Sequence, residues 1–148
     1  MAINTSKVLV GGIAAGIVLN VIDFITYTYV IADKVTAQAN AFKPGLGAMM
    51  MSGDAIKIYV ILDLVMGILL IWTYAAIRPR FGPGPSTAAA AAVLFWLIVC
   101  LTGVNNLMIG MMTAGLWWTV AIISLVNFLV AAWVGAMLYK EDGGTAAA

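Results

Sequence analysis

The sequence predicts an all-α protein, a four-transmembrane-helix antiparallel bundle. Three observations carry that prediction: 64% of the 148 residues are hydrophobic, only 9% are charged, and the apolar residues gather in four long runs joined mostly by short links. An ordinary soluble domain is about 25% charged, so a chain with a mean hydropathy of +1.09 is built for lipid rather than water. Its size suits one domain, expected over residues 1–142, with a flexible C-terminal tail at 143–148.

The first run covers residues 8–31 and is broken only by Asn20, Asp23 and a few Thr and Tyr. It is longer than the ~20 residues needed to cross a hydrocarbon core. Residues 55–77, 88–112 and 116–139 form the second, third and fourth runs. In lipid every backbone polar group must find its partner within the segment, so runs of this length are helices. Ala37-Gln38-Ala39 resembles a signal-peptide cleavage site, but the run before it is too long for a typical h-region and contains Asp23. Helix one is therefore expected to be a retained anchor.

The links differ in length. Residues 32–54 form a long loop, in which Val35, Ala39 and Phe42 recur near helical spacing and predict a short interfacial helix ended by Lys43-Pro44-Gly45. Residues 78–87, RPRFGPGPST, predict a rigid turn that cannot continue a helix. Residues 113–115 predict a tight hairpin. Short links make neighbours antiparallel, and an even number of spans puts both termini on one side. That side carries Lys7, Arg78, Arg80 and Lys140, against Lys34, Lys43 and Lys57 opposite, partly balanced there by Asp33 and Asp54. The positive-inside rule then favours cytoplasmic termini. Trp117, Trp118, Tyr27, Tyr29 and Tyr59 are expected to mark the outer interface, and Trp72, Tyr74, Trp133 and Tyr139 the inner one.

Composition also excludes chemistry. The chain has no histidine and a single cysteine, Cys100, which sits in an apolar run and is expected to be a small buried hydrophobe. No disulfide can close within the chain, and zinc sites of His and Cys, histidine-ligated haem and Ser-His-Asp or Cys-His catalysis are out of reach for the chain alone. A net charge of +1 without a basic cluster argues against nucleic acid. Met49, Met50, Met51, Met108, Met111 and Met112 lie toward the outer face, where packing explains them better than Cu(I) does, in the absence of His or a second Cys. The run Gly11-Gly12-Ile13-Ala14-Ala15-Gly16 lacks dinucleotide-loop spacing and lies within a span. No metal or cofactor is expected.

Two patterns remain. Gly12 and Gly16 share a stripe with Asn20, Asp23 and Tyr27, and the other spans repeat the arrangement with Asp63 and Gly67, with Gly103, Asn106 and Gly110, and with Ser124, Asn127 and Gly135. Small residues at such spacing let helices approach closely. Counting ~1.5 Å per residue from the midpoints of the runs puts Asp23, Asp63, Asn105 and Ser124 roughly 5 to 8 Å toward the long-loop side, with Asn127 nearer the centre. Two carboxylates at one depth, with no cation beside them, should not both be ionised in a dry site. Asn20, Asn105, Asn106 and Asn127 are the candidate donors. Such a level is either a relay for protons or solute, or a hydrogen-bonded plug that fixes helix register. The correspondence of Asp23 with Asn105 and of Asp63 with Asn127 also suggests two repeated helix pairs.

At Tyr74-Ala75-Ala76-Ile77-Arg78-Pro79-Arg80-Phe81-Gly82-Pro83-Gly84-Pro85, with Gly11 to Gly16 before it and Leu138-Tyr139-Lys140-Glu141 after it, the chain resembles a group of uncharacterised bacterial four-helix integral membrane proteins. The resemblance implies a multi-pass protein of the bacterial cell membrane and the four-span topology, and it transfers no activity. The residues themselves, with no evident nucleophile and base, point to a non-enzymatic membrane subunit that contacts the lipid bilayer and copies of itself or other membrane subunits. The alternative is a small proton-linked solute transporter using Asp23 and Asp63.

Overall fold

The computed structural model describes residues 3–139, so the expected tail and the Lys140-Glu141 end lie outside the described residues. The protein is all-α: α1 (Thr5–Ile25) passes without a break into a π-helical turn (Thr26–Val30), and α2 (Ala32–Phe42), α3 (Leu46–Met50), α4 (Gly53–Phe81), α5 (Pro85–Met108) and α6 (Ala114–Leu138) follow. α1 with its π turn, α4, α5 and α6 are each long and apolar enough to span a membrane. The chain is a multi-pass membrane protein by that measure.

Local chemistry sets the helix starts. The side chains of Asn4, Ser52 and Thr113 accept from the backbone N–H groups of Lys7, Ala55 and Leu116, capping α1, α4 and α6. α5 starts on Pro85, whose fixed φ suits a first helical position.

The first link holds the expected short helix, α2, which starts one residue after the π turn and ends at Lys43 in extended conformation, and a further short helix, α3, follows it. The other two links differ from the sequence expectation. In the second, α4 runs through Pro79 to Phe81, so the turn is only residues 82–84. Pro79 has no N–H to give to the carbonyl of Ala75, so α4 lacks one bond in its last turn and ends within two residues. Gly82, at φ +83°, donates to Arg78 and then turns the chain out of the helix. The third turn comes early: α5 stops at Met108 and the link is residues 109–113. Gly110, at φ +77°, is thus a turn residue rather than a packing contact.

The four spans form a ring in which α1 packs on α4 and α6, and α5 completes the circuit between them. The seams are backbone to backbone. A Cβ on Gly12 would sit 2.5 Å from Ile68 Cα and one on Gly16 2.6 Å from Leu64 Cα, while one on Gly67 would collide with Gly12 O and Gly16 N. The opposite seam joins Gly11 to Gly135, each of whose added Cβ would strike the other's carbonyl oxygen. Gly11 and Gly12 point about 100° apart on a helix, so α1 presents one glycine face to α4 and another to α6. Gly103 is looser, since a Cβ added there would sit 3.1 Å from Nε1 of the Trp117 side chain rather than against backbone.

Burial is uneven along the bundle. The buried residues of α1 lie between Val8 and Leu19, those of α4 between Gly67 and Ala75, those of α5 between Thr87 and Ala92, and most of those of α6 between Phe128 and Gly135. All four stretches belong to the half near the termini. Tyr74 and Tyr139, expected as interfacial belt residues, are buried there with their rings edge to face at 5.9 Å, and Arg78 lies over the Tyr139 ring at 5.6 Å. Their hydroxyls accept from the backbone of Gly84 and Asn4, which takes both rings inward rather than to the lipid boundary. Trp72, Trp118, Trp133 and Tyr29 do project outward.

Candidate functional site

The half under the long link is built differently. Asp23, three residues before the π turn, accepts from Asn127 Nδ2 of α6 at 2.7 Å, bridging 104 positions of sequence. Asp63 of α4 stands at the same level and within electrostatic reach of Asp23. Asn20 donates back to Gly16 O at 3.0 Å and across to Val60 O of α4 at 3.2 Å, pinning α1 to α4 one turn below. Ser124 donates to Ala121 O within its own helix.

These residues surround open volume. Asp23, Asp63, Thr26, Tyr27, Ser124 and Asn127 line a cavity of about 180 Å³ whose remaining walls are apolar, among them Leu19, Met66 and Phe128. A second cavity, of about 370 Å³, lies between α1 and α4, under Val35 of α2, Met50 of α3 and Met51 just after it. Asp23, Tyr27 and Asp63 line both. The π turn is what places Thr26 and Tyr27 there, since its wider bonding, with Ile31 N donating to Thr26 O, changes the facing of residues just after Asp23. Such turns recur at functional sites.

The electrostatics are one-sided. Two carboxyls meet on these walls, and neither cavity is lined by a lysine or arginine. Asn127 is only 3% exposed, and while its Nδ2 serves Asp23, its Oδ1 is buried without a donor. A buried acceptor left unpaired costs about 1–3 kcal/mol. The site can therefore take up a positive, hydrogen-bond-donating species: charge met by the carboxyls, a donor met by Asn127. Among the described residues no cluster of three His, Cys, Asp or Glu side chains could hold a metal ion.

Comparison with known protein families, with characterised proteins and with solved structures finds no match for this chain. The resemblance seen around residues 74–85 stands on those residues alone, and the chemistry of the site rests on its geometry.

Of the expected polar level, the structure brings Asn20, Asp23, Asp63, Ser124 and Asn127 together. Asn105 and Asn106 stand apart, lining neither cavity. They lie in the last turn of α5, and their carbonyls accept from the N–H groups of Ile109, Met111 and Met112. The apolar run continues through the turn to residue 112 while α5 ends at Met108, so a depth counted from the midpoint of the run puts Asn105 too near the centre. Asp23 faces the cavity while Asn105 is exposed, so these two residues have different surroundings.

Two contributors lay outside the sequence expectation. Gln38 of α2 donates through Nε2 to Thr113 Oγ1 and accepts from Thr113 N, both at 2.8 Å, tying the long link to the turn before α6. Gly11 makes the contact with α6, and its signal was available, because Gly11 and Ala15 repeat the small-residue spacing of Gly12 and Gly16 one position earlier.

Proposed function

We propose that this membrane protein is a small carrier that moves a cation across the bilayer in exchange for protons held at Asp23 and Asp63. The observation that supports it is the shared cavity, where carboxyls from α1 and α4 meet an amide from α6 whose acceptor oxygen has no donor. A structural plug favours a filled, fully satisfied network. This level has volume beside it and one acceptor unpaired. Intramembrane carboxylates that face a cavity mark proton and ion pathways.

The other titratable groups on these walls are Tyr27 and Tyr59, while α5 and α6 contribute none. The test is proton movement in proteoliposomes loaded with a pH dye, with sodium, potassium or methylammonium added outside. Cation-driven proton efflux is expected for the wild-type chain and its loss for Asp23→Asn and Asp63→Asn, with the fold intact. Efflux unchanged in both variants would end the reading.

A second non-enzymatic reading, a subunit of a homo-oligomer or larger membrane assembly, is favoured by how little of each span the chain covers itself. Only 28 to 33% of each hydrophobic window is buried, leaving the rest for lipid or partner helices. Gentle extraction should then yield a defined oligomer or complex, and a stable lone monomer would count against it. In either case we propose a bacterial cell membrane location with cytoplasmic termini, which reporter fusions at the N-terminus and in the 82–84 turn would check.

A further inference from the structure

The carrier reading leaves the cargo open, and the two cavities narrow it. Resting on that reading, we infer that the cargo is a protonated primary or secondary amine with an apolar body, which enters sideways from the bilayer between α1 and α4. Its N–H group completes Asn127 Oδ1.

Wall chemistry is the first ground. A hard inorganic cation needs about six oxygen ligands around it, whereas most of the residues lining both cavities are apolar. The cavity between α1 and α4 carries Phe24, Tyr59, Val60 and Met50 beside the two carboxyls. Such walls hold a carbon body, and the aromatic rings add attraction for an organic cation.

Access is the second ground. Phe24, Tyr59 and Val60 are 62%, 46% and 42% exposed on spanning helices, so this cavity meets lipid at its side. Asp23, Tyr27 and Asp63 form the wall it shares with the inner cavity. An apolar body can rest in the outer volume while its charged head reaches the inner one. The third ground is the unpaired acceptor. An ammonium group with an N–H supplies the donor Asn127 Oδ1 lacks, and a quaternary ammonium does not.

The experiment uses the full chain in lipid nanodiscs and two probes, 4-phenylbutylammonium and its N,N,N-trimethyl analogue, with binding read by calorimetry. The first should bind about tenfold more tightly than the second, in line with one satisfied hydrogen bond to a charged donor. Asp63→Asn should weaken it at least tenfold. Asn127→Leu should erase the preference between the probes, and Val60→Trp, which fills the outer cavity, should weaken both. If Asn127→Leu does not fold, the wild-type preference and Val60→Trp still decide. Equal binding of the two probes by the wild-type chain, or undiminished binding in Asp63→Asn or Val60→Trp, overturns the inference. Aspartate-dependent proton efflux driven by sodium or potassium, without binding of either probe, would sink the amine and leave the carrier reading standing. Selective amine binding without proton efflux would do the reverse.

Discussion

The two ends of this bundle are held by different forces. Near the termini, Gly12, Gly16 and Gly67 bring α1 and α4 into backbone contact, Gly11 and Gly135 do the same for α1 and α6, and the alanines of α5 close the ring. Under the long link the helices are joined by a handful of side-chain bonds around open volume: Asn127 to Asp23, Asn20 to Val60 O, and Gln38 to Thr113. Lipid tails are as apolar as leucine, so in a bilayer close packing rather than hydrophobic burial holds helices together. A bundle clamped at one end can keep polar groups and cavities at the other without losing its topology.

The largest expected effect attacks the clamp. Gly67→Ala adds one methyl group that meets Gly12 O and Gly16 N of α1, and backbone cannot move aside as a flexible side chain can. The two helices must separate, at the upper end of the ~1–3 kcal/mol typical of overpacking, and thermal unfolding in detergent should shift down sharply. Gly115→Ala makes the contrast, because nothing lies within 4 Å of that position. There the better helix former should raise stability, by at most ~1 kcal/mol. Equal shifts in the two variants would mean that the glycine seam is not the clamp.

A smaller effect of opposite sign is expected in the open half. Placing an aspartate at a helix centre costs about 2.5–3.5 kcal/mol on insertion scales, and Asp63 has no side-chain hydrogen bond like that of Asp23 with Asn127 among the described residues. Asp63→Leu should therefore raise the unfolding temperature, by a gain of about 1–2 kcal/mol, while abolishing cation-driven proton efflux. Asp23→Leu should gain less, since it strips the amide of Asn127 of its partner. If Asp63→Leu destabilises the chain, the open half is a structural element and the comparison between the ends collapses.

How far this division was legible beforehand follows from which contacts are local. Four apolar runs dictate four spans because the bilayer permits little else, and the depth of Asp23, Asp63 and Asn127 can be counted along a helix. Asn105 could not be placed that way, because the end of α5 is set by the left-handed turn at Gly110 and not by the end of the apolar run. Depth alone puts Tyr74 and Tyr139 at the interface, yet the direction of each ring decides its role, and the two turn toward each other. In the segment GGIAAG two adjacent stripes of small residues are equally good, and nothing local says that one belongs to α4 and the other to α6.

The smallest effect concerns Gln38, whose role no periodicity reveals because its partner lies 75 positions away. Thr113 accepts from Gln38 Nε2, donates its backbone N–H to Gln38 Oε1 and caps α6 through the same hydroxyl. Gln38→Ala removes both bonds to α2 and leaves the cap in place. Solvent can replace exposed hydrogen bonds, so the loss should be about 1 kcal/mol and local. Hydrogen exchange should quicken across residues 32–51 while the glycine-seam residues of α1 and α4 keep their protection and the unfolding temperature stays within error of wild type. Global loosening would show that α2 helps hold the bundle shut. Unchanged exchange would show that the bonds to Thr113 contribute nothing in solution, leaving Asn127, Asn20 and Trp96, which donates to Ala121 O, to tie the open half through side chains.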